Sequence, residues 1–171
     1  MTTRSIIRLS MGATLVALAL VVPTTAQAQD MGITVGATAP GAAVRSLDGA
    51  AMDLASMYGD TPVVLEFWAT WCPLCKKLEP SMQKARAKYA GKVQFVSVGV
   101  PSNQSAEKQK AYVEKQQMGG QFVFDRDGAA MKAFAVPHTS YVVVIDKGGK
   151  VVYTGVGADQ DIDAAVQKAM R

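Results

Sequence analysis

Cysteine and histidine are scarce in this chain of 171 residues, which contains two cysteines and a single histidine. His138 is the only imidazole available to complete a metal site with Cys72 and Cys75, which is a thin basis for such a site. The cysteines are three positions apart, and a disulfide that closes so short a loop removes little chain entropy. The pair therefore indicates chemistry rather than a stabilising cross-link.

A strong charge and a long hydrophobic run are also lacking. The formal net charge is +4, and two of those charges belong to Arg4 and Arg8. Such a small excess does not indicate nucleic acid or membrane lipid as a partner, and we expect none. The apolar run at residues 11–22 is short for a membrane-spanning helix, which needs about 20 residues.

The first 28 residues have the order of features of a secretory signal peptide. Two arginines precede the apolar run of residues 11–22, and Ala-Gln-Ala at residues 26–28 offers a cleavage site. No cysteine lies directly after the apolar run, so the segment has no acceptor for a lipoprotein anchor. We expect residues 1–28 to be removed and residues 29–171 to form a single exported domain, with no membrane association beyond the export signal.

Residues beyond position 40 alternate between strand-like and helix-like patterns. We expect a hairpin around Asp48-Gly49, further strands, and helices that include one capped by Asp159. The predicted strands are 43–47, 51–54, 63–68, 92–100, 122–124, 141–145 and 151–154, and the predicted helices are the segment from the cysteines to Gly91, 105–117, 129–134 and the C-terminal segment. Alternating strands and helices predict an α/β fold, and the closing strand–strand–helix order predicts a mixed sheet.

The Cys72-Pro73-Leu74-Cys75 motif lies directly after a predicted strand and at the start of a predicted helix. This context is typical of a redox motif, because a helix N-terminus lowers the pKa of a thiol. We expect Cys72 to be the exposed thiolate that attacks a disulfide, and Cys75 to resolve the mixed disulfide. Pro73 fits the first helical turn. We expect Lys76 and Lys77 to be solvated.

Three alternatives compete with the redox interpretation. Two cysteines could lie close together by chance, although the strand–helix context disfavours this. A metal-binding module could hold copper or an iron–sulfur centre through both cysteines and His138. A peroxidase would need threonine three residues before the reactive cysteine, but that position is Ala69.

Residues 66–75, EFWATWCPLC, resemble the active-site segment of the thioredoxin superfamily, and Pro80 matches its proline eight residues after the first cysteine. The signal, the hairpin and the extra helix and strand within residues 105–134 resemble the TlpA/ResA branch. The resemblance implies a thioredoxin-like fold with a central mixed sheet, and periplasmic thiol–disulfide exchange, in the reducing direction, with protein thiols and disulfides. It further implies an upstream membrane electron donor, no cofactor, and a monomer.

The same resemblance assigns roles to residues near the motif. Glu66 occupies the position of a buried acid, where burial would raise its pKa and let it take a proton from Cys75. The alternative is a glutamate on an exposed patch of the strand. We expect Trp68 in the core, and Trp71 with Pro73 at the rim that binds the substrate.

A loop with a cis-proline faces the cysteines in the superfamily, directly before a strand. Alignment backward from Ile145-Asp146 places Ser140 at the proline position, and the alternative is Pro137, three residues earlier. We favour Ser140 because the strand would otherwise be long and polar, and expect a trans peptide bond before it. Thr139 and Ser140 then join the predicted substrate rim, with His138 as a surface residue. Loss of the proline also favours the metal-binding alternative.

Overall fold

The computed structural model of the protein describes residues 32–171, so the predicted signal peptide and its cleavage site lie outside the described residues. A short 3-10 helix at Leu54–Met57 follows the first two strands. In chain order the strands and α-helices are β1 (Ala43–Ser46), β2 (Ala51–Asp53), β3 (Val63–Trp68), α1 (Pro73–Lys88), β4 (Gln94–Gly99), α2 (Ala106–Gln116), β5 (Gln121–Phe124), α3 (Ala129–Ala133), β6 (Tyr141–Ile145), β7 (Val151–Val156) and α4 (Ile162–Ala169).

All seven strands form one sheet in the order β2-β1-β5-β4-β3-β6-β7. The three central strands β5, β4 and β3 are parallel. β6 and β7 extend the sheet antiparallel on one side, and β1 and β2 extend it on the other. The predicted α/β class and mixed sheet are confirmed.

Both faces of the sheet are covered, and β3 is buried along its whole length. On one face, Val64 belongs to a core cluster with residues of α1 and α4, among them Leu78 and Ile162. On the other face, Phe67 packs against Phe134, with ring centroids 5.5 Å apart. The end of β3 therefore delivers the following residues to the start of α1 from a rigid central strand.

Helix α1 is amphipathic in the way its sequence predicts. Leu78, Met82 and Ala85 recur at helical spacing and are buried. Pro80 lies inside the helix without ending it, and the helix is capped at Tyr89, two residues before Gly91. None of the helices in the described part of the chain is long and apolar enough to span a membrane.

One local prediction needs correction, and one short helix was not predicted. Asp161, not Asp159, caps α4, because it directly precedes the first helical residue and its carboxylate accepts a hydrogen bond from the Ala164 amide at 2.9 Å. The 3-10 helix after β2 was not predicted, although Asp53 carries the signal for it. Its side chain accepts a hydrogen bond from the Ala55 amide at 2.8 Å.

Candidate redox site

The two cysteines form a disulfide at the junction of β3 and α1, with their Cα atoms 5.4 Å apart. Cys72 is the N-cap of α1, and its Sγ accepts a hydrogen bond from the Cys75 amide at 3.1 Å. Pro73 takes the first helical position, where a missing N–H is tolerated. A negative sulfur at Cys72 would be stabilised by the helix N-terminus.

The expected exposure of Cys72 is not observed, because only 1% of the residue is accessible to solvent. The disulfide joins it to Cys75, and both cysteines belong to the core cluster that contains Trp68 and Ala69. In this oxidised form a partner must therefore reach the sulfur through the surrounding rim.

Exposed apolar side chains form that rim. Trp71 is 45% exposed, and its indole N–H donates a hydrogen bond to the Ser102 carbonyl at 2.8 Å. Pro73 and Leu74 are also exposed. Leu74 was not predicted as a rim residue, although its place between the cysteines was a signal for it. Trp68 is buried, as predicted.

The loop before β6 is built around Ser140, which is buried and directly precedes the strand. Its amide donates a hydrogen bond to the Phe67 carbonyl at 2.8 Å, and its hydroxyl donates one to the Gly157 carbonyl at 2.9 Å. Its own carbonyl accepts one from Gln160 at 3.1 Å. The loop therefore does not present Ser140 to a partner.

The peptide bond before Ser140 is trans, as expected, and the described residues contain no cis peptide bond. Ser140 has a φ of 66°, in the left-handed region that side chains rarely adopt. β6 begins at Tyr141 and is short, which agrees with the strand-length argument against Pro137. The chain therefore closes the loop before β6 with a left-handed serine and a trans peptide bond.

We expect the Ser140→Pro variant to lose about 3 kcal/mol or more of unfolding free energy, because proline cannot reach this φ and has no N–H for the Phe67 carbonyl. Ser140→Gly is the matched control. Glycine keeps the amide and relieves the left-handed strain while losing the hydroxyl bond, so its stability should stay within about 1 kcal/mol of wild type. Urea unfolding measures both, and a stable proline variant would contradict this reading of the loop.

The other residues predicted in this loop differ in their exposure. Thr139 is half-buried, whereas His138 is exposed. Within residues 32–171 there is no group of three or more His, Cys, Asp or Glu side chains that could hold a metal ion. His138 is therefore not brought to the cysteines as part of a ligand set.

Glu66 lies in the middle of β3 and is only 2% exposed, which confirms the predicted burial. Its partners across the sheet are Ser97 on β4 and Val142 on β6, both uncharged. Burial raises the pKa of Glu66 to about 8; the Glu79 carboxylate contributes to the rise and the Arg86 guanidinium opposes it. This acid can therefore exchange a proton near neutral pH.

A cavity of about 310 Å³ connects Glu66 with Cys75 and opens between α1 and α2. That volume holds several water molecules. It is lined by Glu66, Trp68, Ala69, Cys75, Lys76, Glu79, Gln83, Tyr112, Gln116, Gln117 and Met118. Cys75 and the buried acid thus line the same cavity.

Glu79 and Arg86 are site residues that the sequence analysis missed. Their side chains form an ion pair, and Glu79 lines the cavity beside Cys75. A sequence signal was present, because Glu79 is four residues after Cys75 and therefore on the same side of the helix.

Proteins of known sequence and structure are similar to this chain. The Redoxin family matches residues 34–169. The thioredoxin-like protein YneN of Bacillus subtilis is 29% identical, over 70% of this chain and 71% of its own. The thiol-disulfide oxidoreductase ResA of Geobacillus kaustophilus is 32% identical, over 77% of this chain and 75% of its own. A secreted disulfide oxidoreductase of Mycobacterium tuberculosis, homologous to E. coli DsbE, superposes with a TM-score of 0.63 at 25% identity, over 75% of this chain and 95% of that structure.

Proposed function

Because this chain belongs to the Redoxin family and is a thioredoxin-like thiol–disulfide oxidoreductase, we propose that it reduces disulfides of partner proteins outside the cytoplasm, with Cys72 as the attacking sulfur. The observation that carries this proposal is the sulfur pair at the N-terminus of α1, with Cys72 as the helix cap.

The proposed reaction passes two electrons from the cysteine pair to the partner. The Cys72 thiolate attacks a partner disulfide, forming a mixed disulfide and releasing one partner sulfur as a thiolate. Cys75 then gives its proton to the ionised form of Glu66, and its sulfur attacks Cys72, which forms the internal disulfide. The second partner sulfur leaves as a thiolate and takes up a proton. A membrane electron donor would restore the dithiol.

The geometry supports a distinct role for each group. The Cys72 sulfur accepts the amide of the first helical turn, which favours its thiolate. Cys75 shares the cavity with Glu66, whose raised pKa lets it hold a proton near neutral pH. A direct or water-mediated proton transfer between them is consistent with that arrangement.

The apolar rim supports the proposal that the partner is a protein segment. Trp71, Pro73 and Leu74 offer exposed apolar surface beside the disulfide, of the kind that marks an interaction site. Thr139 in the loop before β6 is half-buried and would offer the part of its side chain that remains accessible to the partner. Ser140 would act on substrate binding by shaping this loop, because its own polar atoms are bonded internally.

The reducing direction is supported by the charge near the sulfurs as well as by the family. A protein whose reduced form is strongly stabilised is an oxidant. The buried Glu66 disfavours an additional negative charge nearby once it ionises, so it limits the stabilisation of a thiolate. Lys76 and Lys77 oppose this effect, but both are exposed and therefore screened.

The two-electron reduction potential tests the direction. We expect a value near or below about −250 mV, as for reductants of this class, measured by equilibration with a thiol buffer of known potential. A value near −120 mV would show an oxidant and contradict the proposal. Insulin reduction by the purified protein provides the matching activity assay.

We also propose that residues 1–28 direct export and are removed, leaving residues 29–171 as a single monomeric domain. The support for export is the order of charged, apolar and small residues in the first 28 positions. The support for a monomer is a redox site whose two sulfurs lie within one chain.

A further inference from the structure

Helix α1 carries a row of polar side chains along the side that faces the cavity. Cys75, Glu79 and Gln83 are spaced four residues apart and all line the cavity. Arg86 continues the row and forms the ion pair with Glu79. The row begins at the resolving sulfur and ends in a guanidinium.

Arg86 is held firmly at the end of this row. Its side chain is 10% exposed, and its Nη1 is buried without a hydrogen-bond partner among the described residues. The backbone of Gly120 comes so close that an added Cβ would lie 3.2 Å from the Arg86 Cδ. A positive charge buried in this way acts on its surroundings with little screening by water.

Few charged groups face Glu66. α1 contributes Cys75, Lys76, Glu79 and Arg86. β4 and β6 contribute only the uncharged Ser97 and Val142. α2 contributes the Tyr112 phenol, and the Lys76 ammonium lies 5.9 Å from the centre of that ring, near the exposed side of the cavity.

The two charges of the ion pair act on Glu66 in opposite directions. The Glu79 carboxylate disfavours an ionised Glu66, whereas the Arg86 guanidinium favours it. Burial also raises the pKa of Glu79, and Arg86 lowers it. The charge on each member of the ion pair therefore changes the effect of the other member on the pKa of Glu66.

We propose that Glu79 and Arg86 form a positioning pair that sets the pH range over which Glu66 accepts the proton of Cys75. This inference rests on the proposed role of Glu66. The pair acts on Glu66 through its charges rather than by contact with a partner's sulfurs: Glu79 lines the cavity, and Arg86 is ion-paired with it. Removal of Glu79 leaves the Arg86 charge uncompensated, and removal of Arg86 leaves the Glu79 charge uncompensated. The two changes must therefore shift the pKa of Glu66 in opposite directions.

The test is a titration of the Glu66 carboxyl in the oxidised full-length protein, followed by carbon NMR of labelled glutamate side chains. In Glu79→Gln we expect the midpoint to fall from about 8. In Arg86→Met we expect it to rise, and each shift should exceed about half a pH unit. Loss of packing alone would shift the Glu66 midpoint in the same direction in both variants.

Two further variants serve as controls. Arg86→Lys keeps the positive charge and should bring the midpoint back toward wild type. Lys88→Gln removes an exposed member of another ion pair, with Asp163 at 2.6 Å, and should leave the Glu66 midpoint unchanged. If Arg86→Met does not fold, the pair is tested by the expected fall of the Glu66 midpoint in Glu79→Gln together with a midpoint near wild type in Arg86→Lys, and a midpoint that does not fall in Glu79→Gln overturns it.

The pH profile of insulin reduction is measured on the same variants and should shift in the same directions as the titration. Midpoints that stay in place, or move together, overturn the positioning pair and leave disulfide exchange untouched. If the midpoint of the Glu66 titration shifts but the pH profile of insulin reduction stays unchanged, the proposed role of Glu66 is overturned instead.

Discussion

The Cys75→Ser variant should accumulate mixed disulfides with its substrate, and the Cys72→Ser variant should not. In the first variant the attacking sulfur is present, but nothing can displace the captured partner. In the second, the sulfur at the helix N-terminus is lost, and the remaining thiol lies inside the first turn of α1. Turnover should fall to the uncatalysed background in both.

Intact-mass spectrometry measures this difference directly. Each reduced variant is mixed with oxidised insulin or glutathione disulfide, the reaction is quenched with acid, and the intact mass of the protein is measured. The double variant Cys72→Ser, Cys75→Ser is the control for adsorption without a covalent bond. Equal trapping by the two single variants would contradict the assignment of roles, which is a sharp test because Cys72 is almost fully buried in the oxidised protein.

Replacement of Glu66 by glutamine should change how the stability of the oxidised protein depends on pH. The folded protein keeps the Glu66 proton up to about pH 8, whereas an unfolded chain releases it near the ordinary value of 4.5. The free energy of unfolding of the wild type should therefore decline as the pH rises between these values, by roughly 3–5 kcal/mol in total. The loss is complete above the folded-state pKa.

Glu66→Gln removes this decline because its side chain does not titrate. Urea unfolding at pH 5 and pH 8.5 should show similar stabilities for the variant, and a wild type that is markedly less stable at the higher pH. Glu107→Gln changes an exposed carboxylate on α2 and should leave the wild-type decline intact. A wild type with the same stability at both pH values would contradict the burial of an ionisable Glu66.

The same Glu66 variant should release its substrate slowly. Glutamine cannot take a proton from Cys75, and a positioned base contributes about 10²–10⁴-fold to a proton-transfer step. We expect insulin reduction at pH 8 to slow by at least about tenfold, while the trapping by Cys72 persists. Fast turnover in Glu66→Gln would remove the acid from the mechanism.

Local sequence signals predicted most of the fold. The alternation of apolar runs and helical spacings predicted the strands that form the sheet, because each signal depends only on nearby residues. The Cys72-Pro73-Leu74-Cys75 motif was placed correctly at a strand–helix junction for the same reason. The boundary of α4 was wrong by two residues, since two aspartates compete as caps in that segment.

Features that depend on distant contacts could not be predicted. The Arg86 side chain is 10% exposed and lies close to Gly120, which follows α2 and is far away in sequence. The burial of Cys72 depends on the packing of the surrounding core, whose members come from distant parts of the chain. The left-handed Ser140 is stabilised by the Phe67 carbonyl and by Gly157, and no local pattern reports either contact.

The hydrogen bond from Ser140 to Phe67 ties the loop before β6 to the central sheet. Phe67 is the residue that follows Glu66, so the loop before β6 and the buried acid are both attached to the same part of β3. A loop anchored in this way is preorganised, and it has little conformational freedom left to lose in the partner docking that we propose. The ordering cost of each encounter therefore falls on the partner, which favours substrates whose disulfides already lie in an extended, accessible segment.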